Sequence, residues 1–543
     1  MNSARMLSLS LLAVLGVPVR ASAASIVTQS CPRQADNTMR YDCTVDLTAS
    51  DSVRVGYRLD TGGPWRWSEW RTGDPVTITL YGFNPDAMDD YEYKVELLAG
   101  SGTGAIPLSD QPELPTALAD LDLSVTRNAG AASNFVMFDT PDCEFSANYL
   151  VAVNTTAGHI AWYQDIDAAT GLPGATVTGW SWTDDGTILA VIDQRYIYEW
   201  AFDGYDVVTP VDLSGNCSGA AGDTGPCPHH DAFRYRPTGK TYVITGAADT
   251  SVAPSATADF NYYPCNALDG FVEDAVRIYD STFGSYSDHS VIDDMGFDPS
   301  TDGGPNLTCA TSYWQAIDAP YYPVFATSDL VADWTHTNSV SAFEIGGTER
   351  VTHSLREWSE IVRYDPDSTT VEWVLKGIDP AYSDFAVEID ASVSGADDFG
   401  GQHHVTPAMG GLLMFDNRSP DTSDLVSRAI QLDIDTSAWE ATIVKSWELR
   451  EPGSPWDPID CSMGLGSAVI VPGTTGNNVL ATCGPEATIE EIGEYDGDRT
   501  TDPLVYITVD DSDGDFCSSM AGTGPNGPMK WYRAWPLLSL GEF

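Results

Sequence analysis

Short apolar runs, cut off at both ends by Gly, Asp, Asn or Pro, recur along almost the whole chain. Thr77-Ile-Thr-Leu-Tyr81, Ile188-Leu-Ala-Val-Ile192 and Thr241-Tyr-Val-Ile-Thr245 are examples. Each is too short for a packed helix and rich in the β-branched and aromatic residues that suit a pleated surface. Apolar positions at helical spacing are scarce, so the chain is expected to be all-β.

Length divides that expectation. At 543 residues the chain is too long for one ordinary core, and two domains are expected unless repeats enlarge one of them. Residues 24–115 read as a small β-sandwich. Within it Arg54-Val-Gly-Tyr-Arg58 is one strand, and Val76 to Leu98, turning at Gly82-Phe-Asn-Pro85, resembles a fibronectin-III-like end. Pro112-Glu-Leu-Pro115 reads as a linker.

Beyond it a loose repeat is visible. Gly158-His-Ile-Ala-Trp162-Tyr is echoed by Tyr196-Ile-Tyr-Glu-Trp200, Thr370-Val-Glu-Trp373 and Ile443-Val-Lys-Ser-Trp447, and Asn478-Val-Leu-Ala-Thr-Cys-Gly484 is a further apolar strand ending at a turn glycine. Strands that repeat with an aromatic and a turn residue suggest propeller blades. Residues 116–543 hold six blades with generous insertions if each takes ~40–50 residues. The expected architecture is therefore a six-bladed β-propeller preceded by a small N-terminal β-sandwich.

Three features bound where the chain works and what it touches. Arg5, the apolar run Met6 to Val19 and Ala21-Ser22-Ala23 read as an export signal over residues 1–23. No later apolar run has membrane length, so the mature protein is expected to be periplasmic or secreted without a membrane span. Ten cysteines in an exported chain favour disulfides, with Cys31–Cys43 and Cys217–Cys227 as local pairs. No C-x-x-C occurs, which disfavours zinc ribbons and thioredoxin chemistry. A balance of 79 acidic to 26 basic residues, net −53, disfavours nucleic acid and anionic membranes, because phosphates need Lys and Arg. It serves instead to keep the surface hydrated. A homo-oligomer is compatible with all of this.

Against that acidic background, six of the eight histidines fall in or beside four patches. These are His229-His230-Asp231, Asp333-Trp-Thr-His336-Thr-Asn338-Ser, Ser354-Leu-Arg356 and Gln402-His403-His404. Inner strands of propeller blades converge on one axis, so residues 106, 20 and 47 positions apart (His230, His336, Arg356, His403) can face a single funnel. Strand alternation allows only one of His229 and His230, and one of His403 and His404, to face it from a regular strand. His159 and His289 lack supporting neighbours and read as ordinary residues, and His353 reads as support for Arg356.

At these residues the chain resembles the bacterial aryl sulfotransferases, exported enzymes that move a sulfuryl group between phenols without a nucleotide donor. The matching segments are His229-His-Asp-Ala-Phe with Gly239 ten residues on, Asp333-Trp-Thr-His-Thr-Asn-Ser339, Ser354-Leu-Arg356 with Ile361-Val-Arg-Tyr-Asp365, and Gln402-His403 running to Leu413-Met-Phe-Asp-Asn417. The resemblance covers nearly the whole mature chain and implies a small β domain followed by a six-bladed propeller. It also implies that His403 is transiently sulfurylated, that His336 gives a proton to the leaving phenol and later accepts one, and that Arg356, His230 and Asn338 hold the sulfuryl oxygens. His404 is the second candidate nucleophile and a substrate-binding residue, although the spacing to Phe415-Asp416-Asn417 favours His403. Arg418 stands where the family often has Gly, so a different turn is expected there.

The chemistry asks for such parts. Sulfuryl transfer, like phosphoryl transfer, spreads negative charge over equatorial oxygens, so positioning and electrostatics should dominate. An arginine fork suits those oxygens, a neutral imidazole is a nucleophile, and a second imidazole near neutrality serves as acid and base. Neither a metal nor a cofactor is required. A three-histidine metal hydrolase would want a carboxylate ligand and His-x-His or His-x-x-x-His spacing, which are absent. The non-enzymatic alternative, an extracellular β-propeller binding protein, explains the architecture and not the company of Arg356 and Asn338. Gly239-Lys-Thr241 lacks the earlier glycine of a phosphate loop and reads as a strand turn. Asp511-Ser-Asp513-Gly-Asp515 begins like a calcium loop, but Phe516 replaces the required glycine and no matching Glu follows.

Overall fold

The computed structural model describes residues 24–119, 121, 123–141, 148–173, 175, 177–183, 186–193, 195–202, 206–213, 227–249, 270–290, 331–333, 335–356, 358–368, 370–378, 383–393, 396–408, 410–418, 426–450, 459, 461, 466–474, 478–484, 488–493, 503–509 and 533–537. The signal segment 1–23, Cys217 of the second expected disulfide, Trp334 and the acidic loop at Asp511–Asp515 lie outside them. Two compact units emerge, one of 1–33, 41–80 and 88–111, the other of 34–40, 81–87 and 112–543.

The first unit contains two antiparallel sheets. Ile26–Ser30, Tyr41–Leu47 and Val76–Leu80 form one. Asp51–Leu59 and Tyr91–Leu97 are central in the other, flanked by Arg66–Trp67, Arg71–Gly73 and Ile106–Pro107. Tyr91, Tyr93, Val95 and Leu97 are buried while the residues between them are half-exposed, the alternation of a strand with one covered face. Cys31 and Cys43 form the expected disulfide. Val76–Leu80 and Tyr91–Leu97, read from the sequence as two ends of one segment, lie in different sheets. The intervening turn belongs to the second unit, where Phe83 is fully buried and Tyr81 packs edge-on against Phe202, 5.2 Å between centroids.

The second unit is propeller-like and all-β. Its described strands form six meandering sheets of four or five strands. Their leading strands include Val177–Trp182, Cys227–Tyr235, Thr337–Ile345, His403–Ala408 and Gly466–Ile470. Strands from the two ends of residues 116–543 close the set. Ala534–Leu537 pairs with Phe135–Pro141 of the first sheet, and Leu123–Arg127 pairs with Val505–Val509 of the last. Neither end can leave without exposing a sheet edge. Val331–Asp333 and Ala386–Ile389 are added as parallel edge strands. Among the described residues no helix is long and apolar enough to cross a membrane.

Trp162, Trp200, Trp373 and Trp447, which mark the sequence repeat, are all buried at 1–2% exposure. Their positions are not equivalent. Trp373 and Trp447 occupy the fourth strands of their sheets, whereas Trp200 occupies a third. The repeat reports a need for large apolar wedges between sheets, which any strand near the rim can supply. Trp162 shows the use: it stacks on Phe202 at 4.4 Å and donates its indole N–H to the Phe202 carbonyl at 3.1 Å, joining the first sheet to the second.

Side chains also stitch neighbouring leading strands together. Ser181 Oγ donates to the Ala232 carbonyl at 2.8 Å, Val340 N–H donates to Asp231 Oδ2 at 3.0 Å, and Val405 N–H donates to Ser339 Oγ at 2.9 Å. Leading strands have no ladder partner on their inner side, so these bonds satisfy buried backbone groups that would otherwise cost about 1–3 kcal/mol each. Close approach is part of the design. A Cβ on Gly179 would lie 1.7 Å from the His230 carbonyl oxygen.

Candidate active site

The four patches meet around the leading strands of the third, fourth and fifth sheets, with Ser354 and Leu355 ending the second strand of the fourth. Three of their histidines have left-handed backbone: His230 at φ 53°, His336 at 46° and His404 at 51°. Non-glycine residues seldom adopt it, and pairing shifts register at these places, between Pro228 and Ala232, Thr337 and Ser339, and His403 and Thr406. These irregularities override the alternation of a regular strand. His229 and His230, expected on opposite faces, bring their Nδ1 atoms to 2.5 Å of each other.

Buried polar bonds link the patches. Gln402 rivets the third patch to the fourth, its Nε2 donating to Ser354 Oγ at 3.0 Å and to the Leu355 and Glu360 carbonyls at 3.3 and 2.9 Å. Asn338 Nδ2 donates to the Gln402 carbonyl at 2.7 Å, tying the second patch to the fourth. Arg356 N–H donates to the His336 carbonyl at 3.2 Å. Two carboxylates join the first patch to the second: Asp231 through Val340, and Asp274 through Thr335 and Thr337.

His403 is held most tightly. Its Nδ1 lies 2.7 Å from Asn417 Oδ1 and 3.0 Å from the Gly401 carbonyl. Asn417 Nδ2 donates to the Cys461 carbonyl at 2.8 Å, which fixes the amide orientation. Both partners of Nδ1 are acceptors, so these bonds assign the ring proton to Nδ1 and leave the lone pair on Nε2. Burial first, then the nearby charges of Arg356 and His336, push the His403 pKa well below the ordinary histidine value, outweighing the Asn417 and Gly401 bonds. The ring is therefore neutral at physiological pH.

His230 lies in the same group. Its ring centroid is 4.9 Å from that of His336. Burial, followed by the charges of His229, His336, His403 and Arg356, drives its pKa well down as well. His404 turns elsewhere: its Nδ1 lies 3.1 Å from the Ala468 carbonyl and its ring 6.4 Å from Trp535. Burial and then Arg533 depress its pKa. Of the doublet, His403 faces Arg356 and His336, and His404 packs toward the next sheet. His353 is buried, with its pKa pushed down to about 3 by burial and then by His289, and its ring lies 5.4 Å from Tyr364. His289, read as ordinary, is also buried and stacks on Tyr364 at 4.8 Å.

Arg418 corrects one expectation. Its φ is 64°, so the turn keeps the left-handed backbone a glycine would take. Side-chain bonds offset the strain: Nη1 reaches the Asp398 carbonyl at 2.6 Å and Asp416 Oδ2 at 3.2 Å, and Nη2 reaches Asp398 Oδ1 at 3.0 Å. Gly239, at φ 71°, closes the strand turn expected there and not a phosphate loop.

Sequence reasoning missed two charged residues. Asp274 accepts from the Thr335 hydroxyl at 2.7 Å and Thr337 N–H at 2.5 Å, and lies 3.1 Å from His229 Nε2. Burial would raise its pKa, but His229 and those donors hold it below the ordinary carboxylate value. Arg533, from near the chain end, bonds Asp231 Oδ1 at 2.7 Å and the Trp180 carbonyl at 2.9 Å, both fully inside. Burial raises the Asp231 pKa against the pull of Arg533. No local pattern marks either residue. The strand around Asp274 carries Glu273 and Arg277 as well, so its sequence does not single Asp274 out.

With the geometry in hand, comparison with known proteins decides the family. The family model described as Arylsulfotransferase (ASST) matches residues 128–456, more than half of the chain and all four patches. The chain belongs to the arylsulfotransferase family. Membership supports aryl sulfotransferase activity in general terms. No curated protein matches the chain. Similar solved structures include a putative 6-phosphogluconolactonase from Bacteroides uniformis, 9% identical over 89% of this chain and 99% of that one, TM-score 0.32. Another is apo AztD from Citrobacter koseri, 10% identical over 90% and 98%, TM-score 0.29. The RRP9 WD40 repeats are 10% identical over 72% and 98%, TM-score 0.25.

Proposed function

We propose that this protein is an exported, nucleotide-independent aryl-sulfate sulfotransferase, built as a six-bladed propeller over residues 116–543 behind an N-terminal β-sandwich over 24–115. Six successive sheets, with Leu123–Arg127 paired to the last and Ala534–Leu537 to the first, support the blade number, and the two sheets of the first unit support the sandwich. The signal-like segment 1–23 and two disulfides, Cys31–Cys43 and Cys461–Cys483, support export.

The observation that carries the catalytic reading is the pinned, neutral ring of His403. With its proton held on Nδ1 by Asn417 and Gly401, Nε2 is the atom that attacks sulfur of an aryl sulfate. The S–O bond to the phenol breaks, and a sulfuryl group is left on His403. His336 protonates the departing phenolate and later takes the proton of the acceptor phenol, whose oxygen then removes the sulfuryl group. Arg356, His230 and Asn338 hold the equatorial oxygens. An amide nitrogen carries two hydrogens, so Asn338 can serve a substrate oxygen as well as the Gln402 carbonyl. Arg356 lies within electrostatic reach of both His230 and His403, where growing negative charge on sulfuryl oxygens would be stabilised. The partners are small phenols and aryl sulfates, with neither nucleic acid nor a cofactor involved.

Incubation of the mature protein with an aryl sulfate and a second phenol tests the reading. Sulfate is expected to appear on the second phenol with chelator present, and His403→Ala is expected to abolish transfer. A fully active His403→Ala, or loss of transfer on chelation, would overturn it. A wild-type protein that binds phenols without transfer would favour the binding-propeller alternative.

A further inference from the structure

Behind His230 lie two groups, His229 and Asp274, that the reaction scheme above leaves unused. Asp274 Oδ1 faces His229 Nε2 at 3.1 Å, and His229 Nδ1 faces His230 Nδ1 at 2.5 Å. All three side chains are buried, at 0%, 1% and 4% exposure. The strand beside them makes room, because a Cβ on Gly246 would stand 2.9 Å from His229 Nε2 and 3.0 Å from Asp274 Oδ1. A glycine at that contact lets carboxylate and imidazole meet directly.

Proton counting along the chain gives its logic. Asp274 is a carboxylate already receiving the Thr335 hydroxyl and Thr337 N–H, so it acts as an acceptor and His229 Nε2 carries a hydrogen. One proton lies between the two Nδ1 atoms. If no other is present, it belongs to His230, and His230 turns a lone pair at Nε2 toward the site. A sulfuryl oxygen would meet that lone pair with repulsion. If one more proton enters at His230 Nε2, the shared proton moves to His229. The charge then rests on His229 beside Asp274, and His230 is neutral with an N–H at Nε2. Only this second state can hold a sulfuryl oxygen.

We propose that Asp274 and His229 are positioning residues that set the tautomer of His230, so that its Nε2–H points to the sulfuryl oxygens while the compensating charge sits on His229 against Asp274. The inference rests on the sulfuryl-transfer reading of the site. No heavy-atom bond changes in the relay: one proton is gained at Nε2, one shifts between the Nδ1 atoms, and the net charge of the three groups goes from −1 to 0. Other charged and titratable groups face the chain. Arg356, His336 and His403 lie around His230 and oppose a charge there, which favours passing it back to His229. His353 senses Asp274 from the fourth sheet. Asp231, next along the strand, is occupied by Arg533. Asp274 is the carboxylate bonded to His229.

Two measurements test the relay. The first uses the intact wild-type protein with nitrogen-15-labelled histidine rings and inorganic sulfate as probe. On sulfate binding His230 is expected to show protonated Nε2 and bare Nδ1, and His229 to show both nitrogens protonated. His230 protonated at Nδ1 beside a neutral His229, with sulfate bound, would overturn the proposal. The second compares pH profiles of kcat/KM for an aryl sulfate. Losing a partner charge at this range shifts a titration by about 1–3 units, so Asp274→Asn is expected to move the alkaline limb to lower pH by that amount, with Asp274→Glu restoring part of it. A folded Asp274→Asn with an unmoved limb would count against the relay, and if that variant does not fold the ring measurement decides. Ring protonation is read without turnover, and transfer by wild-type protein is a separate readout, so failure of the relay is distinguishable from failure of the sulfotransferase reading.

Discussion

Replacing Asn417 isolates what orients the proposed nucleophile. Its Oδ1 lies 2.7 Å from His403 Nδ1, and its Nδ2 bonds the Cys461 carbonyl at 2.8 Å. As Nε2 attacks sulfur the ring gains positive charge, so the Nδ1–H bond becomes charge-assisted and strengthens toward the transition state. Such bonds contribute about 1.5–3 kcal/mol. Asn417→Leu is therefore expected to lower kcat by roughly 10- to 100-fold. The Gly401 carbonyl at 3.0 Å still accepts, which keeps the tautomer and limits the loss. KM should change little, because the strengthening occurs after substrate binds. Stability should also fall by about 1–3 kcal/mol from the orphaned Cys461 carbonyl. Asn417→Asp separates the two effects: it keeps an acceptor for His403 and sets a carboxylate against the Cys461 carbonyl, so it should recover rate more than stability. The assay is steady-state sulfuryl transfer alongside thermal unfolding. Wild-type kcat in a folded Asn417→Leu would refute the reasoning.

Two further outcomes are expected. Arg533→Ala should destabilise the protein by about 3–5 kcal/mol, since it leaves Asp231 charged or protonated without its buried partner; chemical denaturation reads this, and a loss below 1 kcal/mol would show that the pair is not closed in solution. Stability should also be greatest near pH 6–7. His230, His353, His403 and His404 have folded pKa values below the unfolded value, so their contribution is complete above about pH 6.5 and is lost as pH falls, at ~1.4 kcal/mol per unit for each. Glu360 and Glu490, raised to about 8 chiefly by burial, act the other way and lose stability as pH rises from their unfolded value toward 8. Denaturation midpoints across pH check the dome, and a midpoint still rising above pH 8 would contradict it.

Much of this molecule was legible in its residues because strand signals are local. Turn-bounded runs such as Ile188–Ile192 became strands as read, and the tryptophan echoes became buried wedges between sheets. The site was legible in composition: histidines concentrated beside Arg356 and Asn338 in a chain of −53 charge do converge. The split of His403 from His404 matches the alternation expected of a strand, but the Nδ1 contact between His229 and His230 was not legible, because alternation assumes a regular strand. Left-handed backbone at His230, His336 and His404 breaks it, and no residue nearby announces a bulge. Arg418 shows the same limit, adopting a glycine conformation with its strain offset by carboxylates and carbonyls that only the fold assembles. Asp274 and Arg533 were invisible for a different reason. Asp274 meets His229 two strands away in its own sheet, 45 residues distant, and Arg533 reaches across sheets to a partner 302 residues away.

The central claim is that the sulfuryl group rests on His403 between donor and acceptor. Wild-type enzyme quenched during turnover with an aryl sulfate, then digested and analysed by mass spectrometry under conditions that preserve N-sulfation, tests it directly. One sulfuryl group on His403 is expected, appearing with donor alone and discharged on adding a phenol. The same label on His404, or unmodified protein that still completes transfer, would contradict the account.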